Sequence, residues 1–420
     1  MEQKLKAYSH TTFSSLKVRN YKLYFIGQGI SLCGTWLQTI GQTWLIFKLT
    51  GSGTYIGLLT AVQFLPVLLF GPIGGLIADR FPKRRILYVT QTAALVLSLT
   101  LAVLVLTHVV EPWMVFVLAA LLGFVQVVDN PTRQTFILDM VGREQLTNAV
   151  TINSVEVNMA RIVGPAIAGF LIAGIGIGYC FLVNAFSYIA VLTCLKLMRA
   201  RDFQISKPLA RARGQLREGF NYAWHTPAVR TILLMMVVIG TLAYEFPTVL
   251  PIFASKTFHS DATGYSFLMA AMGVGAVIGG VLTANRRKVM PRAIAVAAIG
   301  FGVAMIATSL AQNIIVAGLA MVLVGVGSIS FSSVANSTLQ LQTAPEMRGR
   351  VMALWTMAFL GSTPIGGPII GYISEHSSPR VGLAVGGLAA IGAGFYALTI
   401  VKRARTQRVQ DLIVTDIEEV

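Results

Sequence analysis

Residues 23–47 read LYFIGQGISLCGTWLQTIGQTWLIF, a run with no charged residue, flanked by Lys22 and Lys48. It exceeds the roughly 20 residues that a helix needs to cross a bilayer. Yet Gln28, Ser31, Thr35, Gln38, Thr39 and Gln42 interrupt it at steps of three and four. At 100° per residue they fall within roughly a 100° arc. Amides stacked on one face are costly against lipid, so the stripe is expected to face a water-filled cavity or partner helices. Gly27, Gly34 and Gly41 recur every seven residues and add a seam for close helix packing. The segment reads as a membrane helix with one polar side.

Similar runs continue along the chain, at 54–78, 86–107, 113–136, 149–173, 178–198, 229–254, 263–284, 291–311, 314–341, 351–373 and 381–401. With the first they make twelve. Hydrophobic residues form 55% of the 420, and charged residues 12%, against about 25% in soluble proteins. The expected fold is an all-α integral membrane protein of twelve transmembrane helices. Little chain remains for a second soluble domain, and a soluble enzyme, a disordered chain and a disulfide scaffold are excluded. Cys33, Cys180 and Cys194 lie inside apolar runs without CxxC spacing and read as packing residues. The five histidines show no ligand spacing, so no metal is expected. Gly273, Gly275, Gly279 and Gly280 imitate a nucleotide fingerprint, but they lie within a span and serve helix packing better. No Walker A or GxSxG sequence occurs, which argues against ATP-driven transport, catalysis and any cofactor.

The net charge of +16 raises nucleic-acid binding as a possibility, and the placement of the charges answers it. Of 33 Lys and Arg, all but Lys48, Lys256, Arg380 and the intramembrane Arg161 fall on one side of the twelve-span ladder. By the positive-inside rule that side is cytoplasmic. The sequence therefore predicts a multi-pass plasma-membrane protein with both termini inside and no nucleic-acid partner. The expected division is a segment 1–22, a six-helix bundle 23–198, a basic linker 199–228, a second bundle 229–401 and a tail 402–420. Within the linker, LREGFNYAW suggests a helix lying along the membrane surface.

A weak internal repeat supports two halves. GGLIADRFPK from Gly74 aligns with GGVLTANRRK from Gly279; Asn130, Thr132 and Gln134 align with Asn336, Thr338 and Gln340, and Gly164-Pro165 with Gly367-Pro368. Two pseudo-symmetric six-helix halves with a substrate path between them is an arrangement of secondary transporters. Ionisable residues inside spans are functional candidates, because a charge there costs several kcal/mol. They are Asp129 and Arg133, one turn apart, Glu156 and Arg161, about 140° apart on their helix, and Glu245. Cross-helix pairing of Asp129 or Glu156 with an arginine is expected. Glu245 stands alone beside Pro247 and Pro251, which should kink its helix. Glu245, Glu156 and Asp129 are the proton-coupling candidates, and Asp129, Arg133 and Glu156 serve equally well as packing or gating charges. Gln28, Thr35, Gln38, Gln42, Arg161, Tyr244 and Asn336 are the candidates for a substrate cavity. Asn336 belongs to a second polar stripe with Ser328, Ser332 and Gln340.

After the second run comes Gly75-Leu-Ile-Ala-Asp79-Arg80-Phe81-Pro82-Lys83-Arg84. It resembles the G-xxx-D-R-x-G-R-[RK] signature of the major facilitator superfamily, with Pro82 for Gly and Lys83 for Arg. The stretch DNPTRQTFILDMVGREQLTNAVTINSVEVNMARIVGPAIAG, from Asp129, looks like the branch of macrolide-efflux proteins and enterobactin exporters. The resemblance implies a rocker-switch transporter, acting as an exporter driven by the proton gradient. It also implies a cytoplasmic gate of Gly75, Asp79, Arg80, Arg84, Asp129 and Arg133, in which Asp79 meets the start of the eleventh helix near Gly349–Val351 and Arg80 pairs with Asp129. Gly164, Pro165 and Gly169 resemble the core of the family's antiporter motif, while Ala160 and Thr151 stand where earlier glycines would be. The expected partners are a small organic substrate, the proton as coupling ion and the lipid bilayer, with the chain working as a monomer. Polar stripes suit import equally, so the resemblance alone favours export. A non-transporting receptor or scaffold would need no intramembrane acids.

Overall fold

The structure, a computed structural model, describes residues 14–204, 215–284, 291–344 and 346–418. The stretches expected as the N-terminal segment and the basic linker fall partly outside these residues, Lys207, Arg211 and Arg213 among them. Helices α1 (Arg19–Thr50), α2 (Gly53–Arg80) and α3 (Lys83–Leu106) follow one another through short turns. Pro112–Gly174 is helical throughout except at Gly142, whose φ of 71° and ψ of −179° divide it into α4 (112–141) and α5 (143–174). The sequence suggested a longer loop there; one left-handed glycine turns the chain instead. After α6 (Gly178–Leu197) comes a short surface helix, Gln215–His225, where one was expected. The second half contains α7 (Pro227–Thr257), α8 (Ala262–Ala284), α9 (Pro291–Ser309), α10 (Ile314–Gln342), α11 (Arg348–His376) and α12 (Pro379–Glu418).

Among the described residues ten stretches are long and apolar enough to cross a membrane. One of them, Pro112–Gly174, holds two spans, and α1, diluted by its glutamines and threonines, completes the twelve. Packing repeats between the halves: α2 on α4 and α3 on α6 in the first, α8 on α10 and α9 on α12 in the second. The aligned glycines share a role. Gly74 rests on the Val127 carbonyl of α4, and Gly279 on the backbone of Val326 of α10. Small residues at these crossings let the backbones approach, which is what holds helices together in lipid.

Two spans are broken at mid-length. In α7 the helix ends at Ala243, and Tyr244 and Glu245 leave helical geometry before Phe246–Ile252 resumes. Pro247 lacks an N–H, and its ring bars the carbonyl four residues back, at Ala243. In α11 the helix stops at Leu360 and restarts at Thr363, and Pro364 acts in the same way. The two breaks pack on each other through Gly240 on Ser362 and Gly366 on the Thr241 carbonyl.

The halves meet along α2–α11 and α5–α8. Gly57 packs on the backbone of Gly367 and Gly53 on that of Gly371, while Gly169 abuts Ser266 and Gly273 the carbonyl of Arg161. The hydroxyls of Thr43 and Tyr265 lie 3.1 Å apart across the same interface. These contacts run from mid-bundle to the end opposite the basic loops, here the far end. The halves are thus joined across the far end.

Candidate functional site

The glutamine stripe of α1 turns into its own half. With side chains of α2, α3, α4 and α6 it lines a polar chamber of about 130 Å³ that includes Thr35, Gln38, Gln42, Gln63, Asn130 and Arg133. Ser98 and Asn184 both donate to the Gln38 side-chain carbonyl, the serine at 2.9 Å. Gln28 lies almost three turns from Gln38 towards the basic end, where its carbonyl oxygen accepts from Arg133. The stripe therefore does both things expected of it, lining a polar space and binding neighbouring helices. Asn336, on α10, instead accepts from Gln340 at 2.5 Å.

Asp129 closes the chamber. It is 4% exposed and accepts from Thr90 at 2.6 Å, from Gln91 at 2.8 Å and from Arg133. Its arginine is thus one turn along the same helix, whereas a cross-helix pair was expected. The resemblance paired Asp129 with Arg80, but Arg80 is exposed at the end of α2. Arg133 wins because the i,i+4 spacing holds its guanidinium beside the carboxylate. Glu156 and Arg161 do not pair either. Neither carboxyl oxygen of Glu156 has a hydrogen-bond partner, nor does Nε of Arg161. The Arg161 guanidinium lies 5.8 Å from the centre of the Trp36 ring.

Arg161 belongs to α5 of the first half, and Tyr244 to the break in α7 of the second. The Tyr244 hydroxyl donates to the Ser328 carbonyl at 2.7 Å, and its ring packs on Phe301 and Phe359 at 5.4 and 5.5 Å. A guanidinium that forms no ion pair among the described residues and lies over an aromatic ring can hold an anionic or electron-rich group of an organic solute.

Glu245 occupies the break in α7. It is 3% exposed, and its Oε1 has no hydrogen-bond partner. A Cβ on Gly366 would stand 2.9 Å from Oε1 and one on Gly367 3.5 Å from Oε2. Gly367 is also the residue that crosses Gly57 of the other half. The carboxyl is therefore lodged behind the contact that closes the far end.

At the basic end Asp79 and Gly75 are half-buried in α2. Arg84 donates to the carbonyls of Leu195 and Lys196 at 3.0 and 3.2 Å, capping the end of α6 within its own half. Gly164 packs against Trp36, Gly169 reaches α8, and Pro165 between them is buried. Two contacts escaped sequence reasoning. Lys83 bridges to Asp139 at 2.7 Å, tying α3 to the end of α4. At the far end Glu375 of α11 accepts from the Ser52 hydroxyl at 2.6 Å and from the Thr54 amide and hydroxyl at 2.9 and 2.5 Å. That clasp joins the halves, and residues more than 300 positions apart leave no local signal for it. No group of His, Cys, Asp and Glu suited to a metal occurs among the described residues.

Residues 10–415 match the profile described as transmembrane secretion effector. The staphyloferrin A transporter of Staphylococcus aureus is 27% identical over 82% of this chain and 87% of its own. The enterobactin exporter EntS of Shigella boydii is 24% identical over 87% and 86%. The multidrug efflux pump Tap of Mycolicibacterium fortuitum is 23% identical over 82% and 88%. Among solved structures, an inward-facing, occupied bacterial homologue of the lysosomal transporter Spinster superposes with a TM-score of 0.73, at 13% identity over 91% of this chain and 96% of that one. The nucleoside transporter NupG gives 0.72, at 14% identity over 92% and 99%. These likenesses establish the fold.

Proposed function

The chain belongs to the transmembrane secretion effector family of major facilitator transporters, and on that premise we propose that it exports a small amphipathic organic compound from the cell in exchange for protons. It is a multi-pass secondary transporter and not an enzyme. The basic end is cytoplasmic, by the positive-inside rule, and both termini lie inside the bacterial inner membrane. The far-end contacts then close the outer side, and the path lies within one chain, so a monomer suffices.

The observation that carries the reading is Glu245, a carboxyl with no countercharge at the joint of α7 and behind the Gly57–Gly367 contact. Closing the far end buries this group, and burying it ionised costs several kcal/mol more than burying it neutral. Opening the far end parts α2 from α11 and hydrates it. Solute leaves on that side, a proton binds Glu245, and neutralisation lets the far end close. Solute reaching Arg161 and Tyr244 from the cytoplasm then meets the joint next to Glu245 and favours release of the proton inward. Asp129, held by three donors, serves as a structural anion at the basic end, and Arg133, Asp79 and Arg84 order the helix ends that move there. Relatives named for siderophores and for drugs support an amphipathic organic solute.

The test is accumulation of fluorescent drugs and of catecholate and citrate-type siderophores in cells with and without the protein, before and after the proton gradient is collapsed. Lower accumulation that recovers on collapse supports proton-driven export. Higher accumulation with the protein would make it an importer.

A further inference from the structure

A groove of about 860 Å³ lies between α1 and the basic-end part of α5, apart from the polar chamber and from the space between the halves. Ile26 and Ile30 of α1 and Val155, Met159 and Val163 of α5 line it, each between 37% and 58% exposed. The α5 residues share a helix face with Phe170, which is 85% exposed. Apolar side chains exposed in a row along a membrane helix face lipid. The mouth of the groove therefore opens to the bilayer, on the side of α1 turned away from its glutamine stripe.

At its floor is Glu156, 7% exposed, with neither oxygen partnered. Gly29 makes the room, since a Cβ there would stand 2.8 Å from Oε1. The other charged lining residue is also an acid, Glu144 at the basic-end rim, and among the described residues no Lys or Arg lines the groove. Glu156 lies about 18 Å along the helix from Glu144, at 1.5 Å per residue. That depth is near the middle of the roughly 30 Å hydrocarbon layer.

We propose that this groove binds hydrophobic amines from the bilayer, with the ammonium group seated on Glu156. A carboxylate there needs a countercharge that the described residues do not provide. An ammonium ligand supplies the charge and up to three donors. Two acids and no base repel an anion, while a neutral amphiphile fills the volume and leaves the carboxyl unmatched. The volume falls within the roughly 300–1,000 Å³ usual for small-molecule sites. The inference concerns binding and goes beyond the transport reading.

The test is photolabelling of the full chain in lipid nanodiscs with 4-benzoylbenzylamine and its neutral isostere, 4-benzoylbenzyl alcohol, at equal concentration. Peptide mapping should place the amine on residues 25–33 and 147–163 with about tenfold more labelling than the alcohol, the gain expected of one charge-assisted contact. Glu156→Gln should remove that excess and leave alcohol labelling unchanged, which also shows that the variant is folded. Met159→Trp, which fills the groove without touching Glu156, should reduce labelling by both probes. Equal labelling of the wild type by amine and alcohol would overturn the proposal, as would an undiminished amine excess in Glu156→Gln. The same preparations separate the two readings. Equal labelling of the wild type by amine and alcohol with export intact defeats the groove assignment alone, and preferential amine labelling of the wild type with no transport of any solute defeats the transport reading alone.

Discussion

Replacing Glu375 with alanine removes every side-chain acceptor from the clasp at the far end. One carboxylate oxygen there takes three hydrogen bonds, from the Ser52 hydroxyl, the Thr54 amide and the Thr54 hydroxyl. A hydrogen bond to a charged group contributes about 1.5–3 kcal/mol when shielded, and solvent at this half-exposed site reduces that to about 1 kcal/mol each. The clasp exists only while the far end is closed, so its loss acts on the equilibrium between conformations. About 3 kcal/mol is a shift of roughly a hundredfold. A far-end-open state populated at about 1% would rise to about half. Glu375→Gln keeps an acceptor but loses the charge, roughly halving each bond, and should shift the balance about tenfold. Spin labels at Tyr55 of α2 and Tyr372 of α11, both exposed, would read the separation by pulsed electron resonance. The reasoning predicts a longer-distance population that grows from wild type to Gln to Ala. An unchanged distribution in the alanine variant would refute the assignment of this clasp as a lock.

Other outcomes follow from the same contacts. Gly57→Val sets a branched side chain against the Gly367 backbone, so the far end should fail to close and export should fall at least tenfold while the protein still reaches the membrane; transport near wild type would remove that crossing from the gate. Asp129→Ala strands Arg133 in a buried site, at a cost of about 3–5 kcal/mol, and thermal unfolding in detergent should show a marked drop that Asp129→Ala with Arg133→Leu partly restores. Arg161→Gln removes the guanidinium, so the KM for an anionic or electron-rich solute should rise about tenfold with thermal stability little changed; an unaltered KM would place the solute elsewhere.

The helices were legible because lipid demands long apolar runs, and Lys48, Arg80–Arg85 and similar clusters mark their ends. The repeat was legible through Gly74 and Gly279, since a helix crossing tolerates no side chain at either place. Gly142 was not, because helix-forming residues on both sides conceal a turn made by one residue. The candidate site was legible as a set of residue types more than as a set of pairs. Intramembrane acids and amides announce themselves by their cost, and Glu245 beside Pro247 signalled a broken span. Partner choice depends on rotation and depth, which a single helix does not specify. Asp129 thus took Arg133 from its own helix, and Glu156 and Arg161 turned to opposite sides of α5. Lys83 and Asp139, 56 residues apart, and Glu375 and Ser52, 323 apart, met only through the packing of the whole bundle.

The central claim is that Glu245 couples export to proton movement. The most direct measurement follows proton and solute flux together in proteoliposomes, with a pH dye on one side and Glu245→Gln beside wild type. The account predicts protons moving opposite to solute in the wild type, and in the variant solute exchange without net proton movement. Solute flux without proton counterflow in the wild type, or proton counterflow preserved in Glu245→Gln, would contradict it.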